Sequence, residues 1–315
     1  MPNGTHAPAE VERPEEPVQR HTGGQTLQSR VFFRVFGLTV RGLKLLGRVT
    51  PRRRRASSLK RFTRGFYQVL SLADRRANMV FMNYGYAPLE GSPATVALDA
   101  GEERDRYCIQ LYHRAASALD LRGRDVLEVG CGRGGGAAFV MKYLQPRSLT
   151  GVDFAGRAIA FCHRQHRQPG LSFRRGDAEK LPFANESFDV VLNVESSHCY
   201  PSMERFLAEV VRVLRPGGYL LFADIRAQGF REQLLEQLEQ AGLIVIEEEQ
   251  IAPNVLRALD LDSERKLALI ESEAPPLLRA SLRDFAAVKD TPIYKRFRTG
   301  EWEYVRFVLQ KNGRA

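Results

Sequence analysis

The chain contains no apolar run approaching the ~20 residues that a bilayer-spanning helix requires, which excludes a membrane-spanning body. It has only four cysteines, Cys108, Cys131, Cys162 and Cys199, and none stands at a paired spacing. That argues against a disulfide framework and against a zinc site, and it fits reduced thiols in a cytoplasmic protein. No metal is expected. Internal repeats are absent. Arginines interrupt the apolar stretch near the N-terminus, so a cleaved secretory signal is not expected. A basic body is also missing. Residues 1–80 hold 16 Lys/Arg against 5 Asp/Glu, whereas the remainder holds 31 against 32. The net charge of +10 therefore belongs to the N-terminus. A nucleic-acid enzyme more often carries its basic surface on the body, so no nucleic-acid partner is expected.

What is present divides the chain into three parts. Residues 1–28 are rich in Pro, Glu, Gly, Thr and Gln, lack an apolar pattern and read as a disordered tail. Residues 29–76 read as a basic amphipathic helical extension. Arg30, Arg34, Arg41, Lys44 and Arg48 recur near helical spacing between apolar residues, and Arg52–Arg55 follow. The part of it over 29–64 is a segment for an anionic membrane surface, making the protein peripheral there, or a helix packed on the body, or a poorly ordered solvated tail. Residues 77–310 read as the main domain, and 43% hydrophobic content gives the chain enough for a substantial core.

That domain is organised around Asp125–Gly136. Asp125–Val129 reads as a buried strand, the glycines at 130, 132 and 134 as a tight turn, and Ala137–Met141 as a helix start. Strand, glycine turn and helix N-terminus together offer backbone N–H groups to a ligand. The apolar run 149–152 ends on an acid, Asp153, in the place where nucleotide-binding folds hold a ribose. Glu128 precedes the glycines by two residues. A carboxylate there would face a pyrophosphate unfavourably but suits a cofactor with a cationic amino-acid end.

Beyond the turn, strand and helix alternate, the pattern of a parallel sheet covered on both faces. Strands are expected at 125–129, 148–152, 172–175, 188–194, 219–224, 243–251 and 301–309, seven in all. Helices are expected at 104–119, 135–145, 156–167, 203–214 and 229–241. Arg215-Pro216-Gly217-Gly218 reads as a helix stop. Residues 254–300 form a helical insertion before the last strand, broken at Pro275-Pro276, with room for a substrate wall. The aromatic stretch 78–88 is either a lid over the cofactor or an ordinary packed segment.

One histidine stands where chemistry is expected. His198 follows the fourth strand, and the C-terminal ends of strands carry the ligand sites of open parallel sheets. Asp224 ends the neighbouring fifth strand. A carboxylate beside an imidazole fixes its tautomer and favours its charged form as it accepts a proton. The alternative is a loop histidine that only hydrogen-bonds. His113 and His166 fall in helical stretches and read as structural or solvated.

The glycine turn with its two acids resembles the class I S-adenosylmethionine-dependent methyltransferases. Three stretches are more specific: Leu111–Arg114, Phe188–Pro201 and Arg205–Gly218. They look like the mycobacterial phthiotriolone/phenolphthiotriolone dimycocerosates methyltransferases, over roughly residues 78–310. The resemblance implies a Rossmann-like seven-stranded sheet with helices on both faces and S-adenosylmethionine as cofactor. It implies that Glu128 lies near the methionine amino end, that Gly130, Gly132 and Gly134 pack under the cofactor, and that Asp153 holds the ribose hydroxyls. Asp177 would accept from the adenine amino group, with the Ala178 N–H meeting the ring and Asn193 near the methionyl part. Phe154 falls either on the adenine or in the core. The resemblance also implies a His198–Asp224 pair as general base for O-methylation of a lipid or polyketide hydroxyl. Two other readings stay open: C-methylation of an isoprenoid or sterol-like lipid, and cofactor binding without methyl transfer. The basic N-terminal extension departs from the family pattern.

Overall fold

In a computed structural model the described residues are 79–90 and 96–313. The expected tail over 1–28 and the basic extension over 29–76 lie outside them. A short 3-10 turn leads into α1 (Arg106–Ala116), and β1 (Asp125–Val129) opens the sheet. The order then runs α2 (Gly135–Phe139), β2 (Ser148–Asp153), α3 (Gly156–Gln165), β3 (Leu171–Arg175) and β4 (Phe188–Val194). It continues with α4 (Met203–Val213), β5 (Leu214–Ala227), α5 (Arg231–Gln240) and β6 (Leu243–Gln250). Three helices, α6 (Ala252–Glu273), α7 (Pro276–Phe285) and α8 (Pro292–Arg298), precede β7 (Trp302–Lys311).

The seven strands form one sheet in the order β3-β2-β1-β4-β5-β7-β6. The first five are parallel, and β7 runs antiparallel between β5 and β6. Strand alternation explains the two cores. Val126, Val190, Leu192, Leu221 and Ala223 face the layer that holds Leu111 and Tyr112 of α1. Leu127, Val129, Val191, Leu220 and Phe222 face the opposite layer, with Phe206, Leu207 and Val210 of α4. Among the described residues no helix is long and apolar enough to cross a membrane.

The strand order reverses direction between β1 and β4, and a crevice opens outside their C-terminal ends, as expected of an open α/β sheet. Two local departures from expectation have clear causes. The helix after the glycine turn is α-helical only to Phe139 and then widens to a π-helix over Val140–Leu144, closed by Gln145 in the left-handed region. The Arg-Pro-Gly-Gly stretch follows α4 as a stop should, yet it lies within β5. Leu214 pairs with Phe188 and pairing resumes at Tyr219 with Val190, so these residues bulge out of the ladder. Arg215 fastens the bulge to Asp125 and Asp189, at 3.1 and 2.8 Å.

Candidate active site

A cleft of about 1190 Å³, counting the part open to solvent, opens at the strand ends. Its floor is the glycine turn. Gly130, at φ +81°, has no space for a side chain: a Cβ would fall 2.3 Å from Ser196 Oγ and 2.8 Å from Tyr200 Oη. Gly136 is tighter still, because the Tyr112 ring lies on it and a Cβ would come within 1.9 Å. Glycine is thus required at both positions by the side chains packed against the turn.

Asp153, at the end of β2, locks this turn. Its carboxylate accepts from Gly132 N at 3.0 Å and from Ala155 N at 2.7 Å. Burial raises its pKa to about 6, against the pull of those two N–H groups. Asp153, Phe154, Asp177 and Ala178 all line the cleft. Asp177 also closes its own turn, accepting from Glu179 N at 3.0 Å.

Not every expected cofactor residue touches the cleft. Gly130 and Gly132 line it, whereas Gly134 packs away from it, with a Cβ position 2.8 Å from His166 and Phe173. Glu128 lies beneath the floor, buried, accepting the Tyr112 hydroxyl at 2.7 Å. Burial pushes its pKa up to about 7, and its Oε2 has no donor. Asn193 is fully buried behind the lining. Its Nδ2 donates to Val129 O at 2.9 Å and Ser196 Oγ at 2.8 Å, which sets the end of β4, and its Oδ1 has no donor.

His198 and Asp224 do come together. His198 sits in the 3-10 turn Ser197–Cys199, and its Nδ1 lies 2.6 Å from Asp224 Oδ1. Asp224 is wholly buried and heavily engaged. Its Oδ2 takes Ser197 Oγ at 2.5 Å and His198 N at 3.0 Å, with the Arg226 guanidinium 3.4 Å away. Burial alone would raise the Asp224 pKa, but the His198 and Arg226 charges outweigh it and hold it well below the usual carboxylate range. For His198 burial pulls the other way, and the Asp224 charge raises its pKa well above 6.5. The imidazole side chain is 35% exposed, on a broad groove beside α5 that shares Glu179, Tyr200 and Pro201 with the cleft.

The sequence did not single out Glu195 for a role. It follows β4 directly, and its backbone is left-handed at φ +44°, a conformation that costs a non-glycine residue about 1–3 kcal/mol. That kink breaks strand alternation. Asn193 and Asp224 are on the α4 side, but Glu195 meets Tyr84 and Tyr304, both part of the other core. Its Oε1 accepts Tyr84 N at 2.8 Å and the Tyr304 hydroxyl at 3.0 Å. Burial raises its pKa to about 7, although the His198 charge works against the rise. Glu195 lines the cleft; His198 does not. The segment expected as a lid or a packed strap contributes Val80, Phe81, Met82 and Asn83 to the same wall.

The donor set suits a cationic ligand. Asp153, Asp177, Glu179 and Glu195 line the cleft against one guanidinium, Arg133. Sequence comparison agrees. Residues 127–222 match a family model described as a methyltransferase domain. The chain is 43% identical over 256 residues to the phthiotriol/phenolphthiotriol dimycocerosates methyltransferase of Mycobacterium tuberculosis, covering 81% of this chain and 94% of the relative. The chain belongs to the class I S-adenosylmethionine-dependent methyltransferases, with these dimycocerosates enzymes as homologues. A fatty-acid O-methyltransferase of Mycolicibacterium smegmatis is 39% identical over 74% of this chain and 84% of its own length. Among solved structures the cyclase SpnF superposes with a TM-score of 0.59 at 19% identity, over 82% of this chain and 96% of that one. At that identity the likeness speaks for the fold alone.

S-adenosylmethionine fits the cleft of this methyltransferase. Backbone lines it at Gly130 and Gly132, the carboxylates of Asp153, Asp177, Glu179 and Glu195 line it too, and the buried acceptors Glu128 Oε2 and Asn193 Oδ1 lack donors behind it.

Proposed function

We propose that this methyltransferase transfers the methyl group to a hydroxyl of a lipid or polyketide-type molecule, with His198 as general base oriented by Asp224. The relatives support an oxygen acceptor on a lipid: one acts on phthiotriol and phenolphthiotriol dimycocerosates, the other is a fatty-acid O-methyltransferase. The observation that carries the base assignment is the 2.6 Å contact between His198 Nδ1 and a fully buried Asp224, where the pairing of β4 with β5 ends.

When bound, S-adenosylmethionine supplies an electrophilic methyl on a cationic sulfur, so the chain itself has to position the acceptor and take one proton. Asp224, kept ionised by its surroundings, holds the Nδ1–H and leaves Nε2 to receive the hydroxyl proton. The resulting imidazolium is the form this site stabilises. Asp153 and Asp177 would hold the ribose and adenine ends, and Tyr112 with Gly136 would close the floor at the methionyl end.

A specific observation favours a second assignment of the base. Glu195 faces the cleft directly and its pKa of about 7 suits proton transfer near neutrality. His198→Ala decides between them. With His198 as base, turnover falls by about 10²–10⁴ while cofactor affinity by calorimetry holds. Turnover unchanged in that variant gives the role to Glu195. Mass spectrometry of product from methyl-labelled cofactor tests the acceptor atom: label on oxygen is expected, label on carbon would mean C-methylation, and no label would mean binding without transfer.

The basic stretch 29–64 gives this enzyme a means of meeting lipid at an anionic surface. Co-sedimentation of the full chain with phosphatidylserine vesicles should fall as salt is raised; binding indifferent to lipid charge would remove this part.

A further inference from the structure

A second cavity lies behind the cleft wall, bounded by residues 79–84, α6 and α7, with about 880 Å³ of space counting its mouth. Met79, Met82, Leu269, Ile270, Leu282 and Phe285 give it an apolar surface. Its lining forms a small apolar cluster around Ala274 and Leu282, separate from the two main cores. A sheet enzyme that already has two full cores has no structural need of such a space. Methionine side chains adapt to ligands of irregular shape.

Phe81, Met82 and Asn83 line both this cavity and the cofactor cleft, so one thin segment separates the two. Asn83 is 8% exposed. Its Nδ2 donates to Cys108 O at 3.2 Å, while the Cys108 thiol reaches Asn83 O at 3.6 Å. These contacts fix which way the amide points. Asn83 Oδ1 then has no donor at all. An unmet buried acceptor costs about 1–3 kcal/mol; this one is closed off from both cavities in the structure, but it belongs to a residue that lines both, so a turn of the side chain would present it to a molecule passing between them. The charged groups on the wall are already engaged. Arg265 holds Asp262 at 2.6 and 2.7 Å, and Lys266 lies 3.4 Å from Tyr84 O and 3.8 Å from Asp262. The cavity therefore selects a neutral chain over a carboxylate.

We propose that this cavity receives the aliphatic chain of the methyl acceptor, with Asn83 Oδ1 accepting a hydrogen bond from a hydroxyl on that chain where it enters the cleft. The inference rests on the O-methyltransferase reading and adds to it where the chain goes and what anchors a hydroxyl other than the one methylated, whose proton His198 takes.

The test uses the full chain with S-adenosylhomocysteine present and calorimetric titration of secondary alcohols with six, ten, fourteen and eighteen carbons. Affinity should rise about fourfold per buried methylene and level off once the cavity is full. The matching ketone, which has no hydrogen to donate, should bind about tenfold more weakly than its alcohol. Leu269→Trp, which fills the cavity from α6, should weaken the long alcohols by about tenfold or more and leave S-adenosylhomocysteine affinity as it was. Affinity that ignores chain length, or equal affinity for ketone and alcohol, overturns the proposal. So does a folded Leu269→Trp protein that binds long alcohols normally; should that variant fail to fold, the two ligand series on the unaltered protein still decide. Oxygen-labelled product without any chain-length response would sink the cavity assignment and keep O-methylation. A chain-length response with no oxygen-bound label would do the reverse.

Discussion

Asp153 and Glu195 stand at the ends of β2 and β4 on the same cleft, yet they are held in opposite ways. Asp153 is gripped by the N–H groups of Gly132 and Ala155, both within its own turn or the adjoining one. Glu195 is gripped by Tyr84 and Tyr304, which lie 111 and 109 residues away in sequence. The donor end of the cleft is thus mostly backbone folded by short-range rules. The acceptor end is a set of side chains gathered from the strap before α1, the turn after β4, the end of β5 and the final strand. On the proposed function, the first kind of site would position a constant cofactor. The second kind can change with the acceptor, because each of its members sits on a different element.

The strongest way to break that comparison is to remove proton-taking groups at the acceptor end alone. His198→Ala should lower turnover by about 10²–10⁴. Glu195→Gln keeps an amide oxygen for Tyr84 N and Tyr304, so it should cost only about tenfold if Glu195 merely positions the acceptor. The pH profile separates the two. A base works deprotonated, and the His198 pKa is raised well above 6.5 by Asp224. Activity should therefore climb as pH rises through that elevated value, and the climb should persist in Glu195→Gln. A rising limb near pH 7 that vanishes in Glu195→Gln, together with a loss as large as that of His198→Ala, would move the base to Glu195 and invert the assignment.

The same contrast explains what could be read in the chain beforehand. Strand limits at 125–129 and 188–194 were legible because apolar runs, glycines and strand-end acids lie within a few residues of one another. The His198–Asp224 contact was legible because His198 follows β4 and Asp224 stands on the adjacent parallel strand β5, one residue past the pairing of Val194 with Ala223. Glu195 was hidden although it lies between Val194 and Ser196 in a stretch already of interest. Its importance comes from a left-handed backbone and from two distant tyrosines, and neither leaves a local pattern. Tyr112 was hidden for the same reason: its hydroxyl reaches Glu128 and its ring covers Gly136 only once α1 packs on the sheet. The second cavity depends on the packing of α6 against α7, which helical periodicity does not specify.

At the donor end the expected effect is smaller. Asp153→Ala removes the acceptor for two backbone N–H groups and, on the proposed function, the carboxylate that would hold the ribose. Hydrogen bonds to a charged group contribute about 1.5–3 kcal/mol each, but the loop retains its glycine geometry and its other contacts. S-adenosylmethionine should bind about 10–100-fold more weakly by calorimetry, with the maximal rate at saturating cofactor little changed. A large loss of maximal rate at saturation would mean that the two ends of the cleft are not separable.

The smallest effect concerns the protein without cofactor. Burial raises Glu128 and Glu195 from 4.5 to about 7 and Asp153 from 3.8 to about 6. For each acid the folded pKa lies above the unfolded one, so the folded state binds more protons in between and loses stability as pH rises through that window. His198 has the same sign: its raised pKa adds stability that is fully present below 6.5 and is lost as pH climbs through the folded value. Asp224 has the opposite sign, but its lowered pKa places its change below about 3.8. From about pH 4.5 to 7 the three buried acids therefore act together, and His198 joins them only above pH 6.5. The melting temperature of the cofactor-free protein should fall by several degrees across that window. S-adenosylmethionine, bringing positive charge to the same carboxylates, should shrink the fall. S-adenosylhomocysteine, with a neutral sulfur, should shrink it less. Equal protection by both ligands would mean that the acids respond to burial by any ligand and not to the sulfonium charge.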